Sequence, residues 1–209
     1  MTHTLHRRVN DAIPGKDFVI LCMAAQKFND RGAGEKLKKI FQLLLDLNPE
    51  NIADDNLGGI YTGETPQTIL DHMGDKAYVG VALSDEGKLK EALTRLKKAD
   101  LGMPVVVSGN FDAVFKILKQ VGLKPHTVNM SLGTFGKKEI LPRPEVLEIT
   151  SMCGHQMVTA RQVETVFRKT KNKKITPEEG AKELARSCTC GIINPQRASV
   201  LIANQAKGE

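Results

Sequence analysis

The chain of 209 residues is poor in aromatic residues, cysteines and long apolar runs. Aromatic side chains make up 4% of the sequence, and tryptophan is absent. No stretch approaches the roughly 18 uninterrupted apolar residues of a membrane span, so the sequence predicts none. Four cysteines are too few for a disulfide scaffold in a chain of this length. What remains, 41% hydrophobic and 26% charged residues, is the composition of a globular chain rather than a disordered or fibrous one.

The N-terminal sequence gives no sign of a secretory signal. The opening stretch, residues 1–17, has basic side chains, but within it they are not followed by the apolar core of a signal peptide. We therefore expect a cytoplasmic protein whose thiols stay reduced, with residues 1–16 forming a loose N-terminal arm.

The net charge of +6 is concentrated near the C-terminus. Residues 151–209 hold ten basic and five acidic side chains, whereas residues 1–150 are almost balanced. The densest basic run, residues 168–174, has no interleaved aromatic residue for base stacking, which argues against nucleic-acid binding. We interpret it as a solvated loop between helices, with docking of an acidic protein partner on the basic C-terminal helices as the alternative.

Strand and helix patterns alternate along residues 14–140. Residues 18–25 form a continuous apolar run, which is typical of a strand buried on both faces. Parallel neighbours need a crossover, and crossovers are usually helical. The sequence therefore predicts an α/β domain over residues 1–140, a three-layer structure around a mainly parallel sheet of about five to six strands. The further strands are predicted at 57–61, 76–83, 103–107 and 126–132, with helices beginning after Gly32, Thr65, Ser84 and Asn110.

A second unit is predicted over residues 141–209. After a last strand at 146–150 the β pattern ends, and two capping boxes begin at Thr159 and Thr176. Asn194 followed by Pro195 indicates a third helix start. We predict a small three-helix module with helices near 160–170, 177–187 and 195–204.

Three of the four cysteines fall in this module, close to a histidine. Cys153 and His155 lie in the loop that enters the first module helix, and Cys188 and Cys190 lie in the turn between the second and third. If the helices fold back on each other, the two loops meet and present three thiolates and one imidazole to a single ion. The sequence thus predicts a metal site on Cys153, His155, Cys188 and Cys190.

The chemistry of this site stays open at the level of sequence. Three cysteines and one histidine suit tetrahedral zinc, and they equally suit an iron–sulfur cluster. A redox-active dithiol is a third hypothesis, and cysteines buried as small apolar residues at helix junctions are a fourth. Cys22 lies within the first strand, where we expect an ordinary core residue.

Small and polar residues follow the predicted strands. In a parallel sheet they would share one edge, where ligands bind, and Gly32 and Gly34 at a helix start could offer amides to an anion. Ordinary turns and caps would give the same pattern. Asp54 and Asp55 could be acidic ligands for a hard cation, but we interpret them as a solvated turn with Asn56. The residues proposed for a small-molecule pocket are Gly32, Gly34, Thr62, Gly63, Ser108, Gly109, Asn110 and Ser131.

The leading hypothesis is a cytoplasmic metalloprotein with a zinc or iron–sulfur centre beside a small-ligand pocket, acting as a metal-dependent or redox enzyme. The rival is a non-catalytic accessory protein with a structural metal and a basic docking surface. No catalytic residue is assigned, because no nucleophile–base pattern is present. The substrate and the oligomeric state stay open at the level of sequence.

Overall fold

A computed structural model describes residues 2–8 and 17–207 of the chain. The predicted N-terminal arm falls partly outside these residues, since 9–16 are not among them; Thr2–His6 form a turn of 3-10 helix. Five strands make one sheet in the order β3-β2-β4-β1-β5. The strands are β1 Phe18–Met23, β2 Asn51–Asp54, β3 Gly58–Gly59, β4 Tyr78–Leu83 and β5 Val105–Ser108.

The sheet is antiparallel, so the predicted mainly parallel sheet is wrong. The central strand β1 pairs antiparallel with both β4 and β5; for example, Ile20 lies opposite Val81 on one side and Val107 on the other. β2 pairs antiparallel with β4 and with β3. Every pair of neighbouring strands that the described residues form therefore runs in opposite directions.

The connections explain why the alternating sequence pattern was misleading. β1 and β2 do run in the same direction and are joined through a helix, but β4 lies between them. In the same way β1 lies between β4 and β5. Strands β1, β2, β4 and β5 thus follow the β-α-β-β-α-β arrangement, in which a strand of opposite direction lies between the two strands of each parallel pair. The short strand β3 and helix α2, Pro66–His72, are inserted between β2 and β4.

Eight helices accompany the sheet in the described residues. None of them is long and apolar enough to cross a membrane. The helices are α1 Ala33–Leu45, α2 Pro66–His72, α3 Glu86–Ala99, α4 Phe111–Val121, α5 Pro144–Thr150, α6 Ala160–Lys171, α7 Pro177–Ala185 and α8 Pro195–Lys207.

Helix starts follow the cap residues closely. Thr159 and Thr176 form complete capping boxes with Gln162 and Glu179. Asn194 accepts from the Arg197 amide and caps α8. At α3 the cap is Asp85 rather than the predicted Ser84.

Three strand assignments need correction besides the direction of the sheet. Residues 126–132 form no strand, and all of them are exposed. Residues 146–150 belong to helix α5, because Val146 and Ile149 recur at helical spacing on its buried side after a proline at the first turn. The predicted strand at 57–61 is reduced to β3, and the short β2 just before it has only two apolar residues to signal it.

Two cores lie on opposite faces of the sheet. Phe18, Ile20 and Cys22 of β1 pack with α1, α3 and α4. Val19 and Leu21, which alternate with them, pack with residues of α5 to α8. The C-terminal unit thus has four helices, α5 to α8, instead of the predicted three, and they lie on the second face of the sheet. Cys22 is fully buried among apolar side chains, as expected for a core cysteine.

Candidate metal centre

The three cysteines of the C-terminal helical unit lie in two loops and come together on their buried side. Cys153 follows α5, and Cys188 and Cys190 lie between α7 and α8. The sulfur atoms of Cys188 and Cys190 are 3.8 Å apart, and the thiol of Cys153 is hydrogen-bonded to that of Cys188. All three side chains are buried. The structure therefore joins these thiols in one chain of contacts, with no disulfide among them.

The Cys188–Cys190 loop lies directly on the sheet. A Cβ atom at Gly80 of β4 would overlap the carbonyl oxygen of Cys190. Gly191 has a positive φ of 68° and approaches β2 so closely that its Cβ would lie 2.6 Å from the Ala53 amide nitrogen. Two glycines are thus required for the loop to reach this position.

A second group of ligand atoms shares Cys190. One ligand atom each from Asp55, His155 and Cys190 lies within 4.8 Å of the others, which is a group that could hold a metal ion. Asp55 and His155 are exposed and Cys190 is buried. Asp55 follows β2 and accepts a hydrogen bond of 3.1 Å from the Thr189 hydroxyl. The group therefore spans three segments: the end of β2 and both loops of the helical unit.

Two of the four predicted ligands, His155 and Cys190, belong to this group, while Cys153 and Cys188 continue from Cys190 through the thiol contacts. Asp55 was not predicted as a ligand. The acidic pair Asp54–Asp55 is the sequence feature that could have indicated this ligand. Its two members differ in the structure, because Asp54 is buried and accepts a hydrogen bond from the Tyr78 amide, whereas Asp55 is exposed.

The surroundings keep the thiols of Cys153 and Cys188 protonated. The hydrogen bond to Cys188, and then burial, raise the pKa of Cys153. The hydrogen bond from Cys153 favours the Cys188 thiolate, but the bond to Cys190 and burial outweigh it and raise the pKa of Cys188 to about 12. Burial alone raises the pKa of Cys22 to about 12. A bound cation would be needed to hold the sulfurs of Cys153 and Cys188 as thiolates near neutral pH.

Backbone amides already donate to two of these sulfurs. Those of Met157 and Val158 lower the pKa of Cys153, and that of Ile193 lowers the pKa of Cys188, although each effect is outweighed by burial and the thiol contacts. Such donors stabilise a thiolate, and they are a common feature of sulfur ligands in metal centres.

An arginine from the N-terminal segment ties the two cysteine loops together. One nitrogen of Arg7 donates to the carbonyl of Met152 at 2.7 Å and to that of Ile192 at 2.9 Å. Its other nitrogens hold the buried carboxylate of Asp17. Sequence reasoning missed this role, because residues 1–16 were interpreted as a loose arm and Arg7 has no recognisable motif around it.

The glycines predicted to offer amides to an anion donate to a side chain of this chain. The amides of Gly32 and Gly34 each donate to a carboxylate oxygen of Asp75 at 2.9 Å. These hydrogen bonds, that of Gly34 first, lower the pKa of Asp75. The start of α1 therefore has an internal anion, and its amides are occupied.

The other predicted pocket residues do not share one edge of the sheet. Gly32 and Gly34 follow β1. Ser108 ends β5, and Gly109 and Asn110 follow it, at the opposite side of the sheet because the two strands are antiparallel. Thr62 bonds to Gly59 within its own turn, and Ser131 lies in an exposed segment.

Two surface hollows occur elsewhere in the described part of the chain. One, of about 330 Å³, is lined by Asp54 and Asn56, the chain neighbours of Asp55, together with residues 72 and 74–77. The other, of about 500 Å³, lies between the α6–α7 turn and the end of α8 and has four lysines in its lining. Neither is lined by any of the eight residues predicted for a pocket.

Comparisons with family models, with curated proteins and with solved structures give no match to this chain. The functional argument accordingly depends on the site itself.

Proposed function

We propose that the chain binds one zinc ion at the junction of the sheet and the C-terminal helices. The buried thiols of Cys153, Cys188 and Cys190 would supply thiolates, and His155 or Asp55 would occupy the fourth, exposed position until a substrate replaces it. The observation that carries the proposal is the 3.8 Å separation of the Cys188 and Cys190 sulfurs, with an imidazole and a carboxylate beside Cys190.

The sulfur separation favours two thiolates on one metal ion. Two thiolates on one tetrahedral zinc, each about 2.3 Å from the metal, lie about 3.8 Å apart. In a cubane iron–sulfur cluster each thiolate binds its own iron, which holds the sulfurs further apart, whereas two thiolates share one iron in a 2Fe–2S cluster. A disulfide would need the sulfurs at about 2 Å. The spacing of Cys188 and Cys190 therefore supports zinc over a cubane cluster or a disulfide, and analysis for iron and sulfide separates zinc from a 2Fe–2S cluster.

Exposure of His155 and Asp55 supports a catalytic role over a purely structural one. The thiols lie on the buried side of the site, so an incoming ligand would approach from the side of these two exposed groups. A catalytic zinc keeps a position for water or substrate, whereas a structural zinc is closed by four protein ligands. An ion with such a position would polarise the polar group of a small substrate that binds there.

Metal content tests the proposal through two buried cysteines. The protein is purified without oxygen and analysed for zinc, iron and sulfide; we expect about one zinc per chain. Cys190→Ala should lower the zinc affinity at least about tenfold, because it removes a thiolate ligand. Cys22→Ala is the matched control, since this cysteine is equally buried but lies on the other face of the sheet, and it should retain full zinc content.

Other outcomes separate the alternatives. Cys190→Ala with unchanged metal content, or wild-type protein without metal, would contradict the site. Brown protein with iron and sulfide would replace zinc by a cluster. Cobalt substitution then identifies the fourth ligand: a spectrum that changes in His155→Ala but not in Asp55→Asn assigns the imidazole, and the reverse assigns the carboxylate.

A basic groove supports the accessory role as a second candidate. Lys171, Lys173, Lys174 and Lys207 line the hollow between α6–α7 and α8. Thr170 lines it too, and its buried hydroxyl has no hydrogen-bond partner among the described residues. An acidic segment would place carboxylates against the lysines and could accept from this hydroxyl.

A labelled oligoglutamate peptide tests this candidate. Lys173→Glu with Lys174→Glu should weaken peptide binding at least about tenfold, and added salt should weaken binding to the wild type. Lys36→Glu with Lys39→Glu makes the same charge change on exposed positions of α1 and should have a much smaller effect. If both double variants weakened peptide binding equally, the effect would be one of overall charge, and specific binding in the hollow would be contradicted.

A further inference from the structure

An exposed segment between the sheet domain and the C-terminal helices has the pattern of a strand without a sheet to join. Residues 124–141 are all exposed. Within them Val128, Met130 and Leu132 alternate with polar residues and are 49%, 61% and 83% exposed. Alternation of this kind is typical of a strand with one buried face. We name residues 126–135 the arm.

The backbone of the arm is unpaired among the residues that the structure describes. No backbone hydrogen bond joins residues 127–132 to any other described part of the molecule. The side-chain bonds are local: His126 contacts Thr127, and the Ser131 hydroxyl accepts from the Gly133 amide. Its apolar side chains, including Phe135 at 78% exposure, therefore stay in contact with solvent in the monomer.

The sheet has an open edge that matches the arm. β5 is the last strand of the sheet and pairs only with β1 among the described residues. Residues 101–110, which contain β5, include no charged side chain, and the arm has none apart from a histidine. Natural edge strands are usually protected by charges or prolines within the strand, and Val105–Ser108 has neither.

Apolar side chains lie beside this edge of the sheet. Val105 lies opposite Cys22 in the sheet, on the face covered by α1, α3 and α4, and it is 37% exposed. On α4, which follows β5, the rings of Phe111 and Phe115 stack with centroids 5.7 Å apart and are partly exposed. A strand placed along β5 with Val128, Met130 and Leu132 on the same face would extend this apolar surface.

We infer that the arm of one chain adds as a strand to the β5 edge of a second copy, and that the reciprocal addition closes a two-fold dimer. The same chain carries both halves of the contact, so a symmetric pair satisfies both at once. Main-chain hydrogen bonds would supply affinity, and the alternate apolar side chains would fix the register. The dimer is independent of the metal site.

Mass in solution and amide exchange test this inference. Light scattering of the full chain should give twice the monomer mass at high concentration, and the amides of residues 127–132 should be protected from exchange under those conditions. Met130→Asp with Leu132→Asp should lower the association constant at least about tenfold. Asn129→Pro should do the same by removing a main-chain donor in an exposed, irregular segment where folding of the monomer does not depend on it.

Phe28→Asp provides the control. Phe28 is 93% exposed outside the arm, so the same kind of change there should leave the association constant unaltered. A monomer at every concentration overturns the inference. So does a dimer that persists unchanged in Asn129→Pro, or a monomer whose arm amides are protected, which would mean that the arm pairs with its own sheet.

Discussion

Replacing Asp17 with alanine is expected to lower the free energy of unfolding by about 3–5 kcal/mol. The Asp17 carboxylate is 2% exposed and receives hydrogen bonds of 2.5 and 2.6 Å from Arg7 and one of 2.7 Å from Arg197. Asn194 donates to it at 3.1 Å. Without the carboxylate the Arg7 guanidinium stays buried with its charge uncompensated, and Arg197 keeps only Glu148, at 3.8 Å, as a carboxylate partner among the described residues. Leaving a buried charge in this way is the costly way to break a buried ion pair.

Urea unfolding at neutral pH measures this effect, and an exposed ion pair provides the comparison. The Glu35 side chain is 84% exposed and contacts Lys38 at 2.9 Å, so Glu35→Ala should change the stability by less than about 1 kcal/mol. Equal losses in Asp17→Ala and Glu35→Ala would contradict the argument that burial makes the difference.

The same carboxylate makes the stability depend on acid. Burial alone would raise the pKa of Asp17, but Arg7, followed by Arg197 and Asn194, outweighs burial and holds it below the usual 3.8. Because the folded pKa is lower than the unfolded one, the contribution is complete above about pH 3.8 and is lost as the pH falls through the folded value. Wild-type protein should therefore lose stability in this acid range more steeply than Asp17→Asn, which lacks the titrating group.

The Asp17 network also holds the two loops of the candidate metal centre. Asp17 binds the guanidinium of Arg7, which donates to the carbonyls of Met152 and Ile192, each close in sequence to a predicted ligand. Arg7→Lys keeps the charge but not the planar fork that contacts a carboxylate and two carbonyls together. Zinc affinity should fall in Arg7→Lys even where the protein remains folded.

Local sequence signals identified most elements but not their arrangement. Thr159, Thr176 and Asn194 mark helix starts through their own side chains, so these helices were predictable. Strand direction and order depend on contacts distant in sequence. The pattern strand–helix–strand correctly implies that β1 and β2 run the same way, but nothing local indicates that β4 lies between them.

The candidate metal-binding group of Asp55, His155 and Cys190 could be predicted from the sequence only in part. Clustering of Cys153, His155, Cys188 and Cys190 in two loops follows from the sequence, because short connections between helices bring loops together. Asp55 could not be added, since its approach depends on the helical unit packing on the sheet next to β2. The predicted pocket at the strand ends required a parallel sheet, so its residues are divided between two ends of the antiparallel one.

Gly80→Ala is expected to weaken zinc binding by about 10- to 100-fold, although position 80 contributes no ligand. A methyl group there would overlap the Cys190 carbonyl oxygen and approach the Tyr78 ring to 2.9 Å. The carbonyl belongs to the backbone of the cysteine loop, so the loop must move off the sheet and carry the Cys190 sulfur away from Asp55, which follows β2. Overpacking of this kind should also cost about 1–3 kcal/mol of stability.

Gly74→Ala is the matched control for Gly80→Ala, because a Cβ there meets nothing within 4 Å. It should leave zinc affinity unchanged and stability equal or slightly higher, since alanine reduces the freedom of the unfolded chain. Competition with a chelator measures the affinities, and urea unfolding measures the stabilities. If Gly80→Ala lost stability but kept wild-type zinc affinity, the contact between Cys190 and β4 would support the fold alone, and Asp55 would have no part in holding the ion.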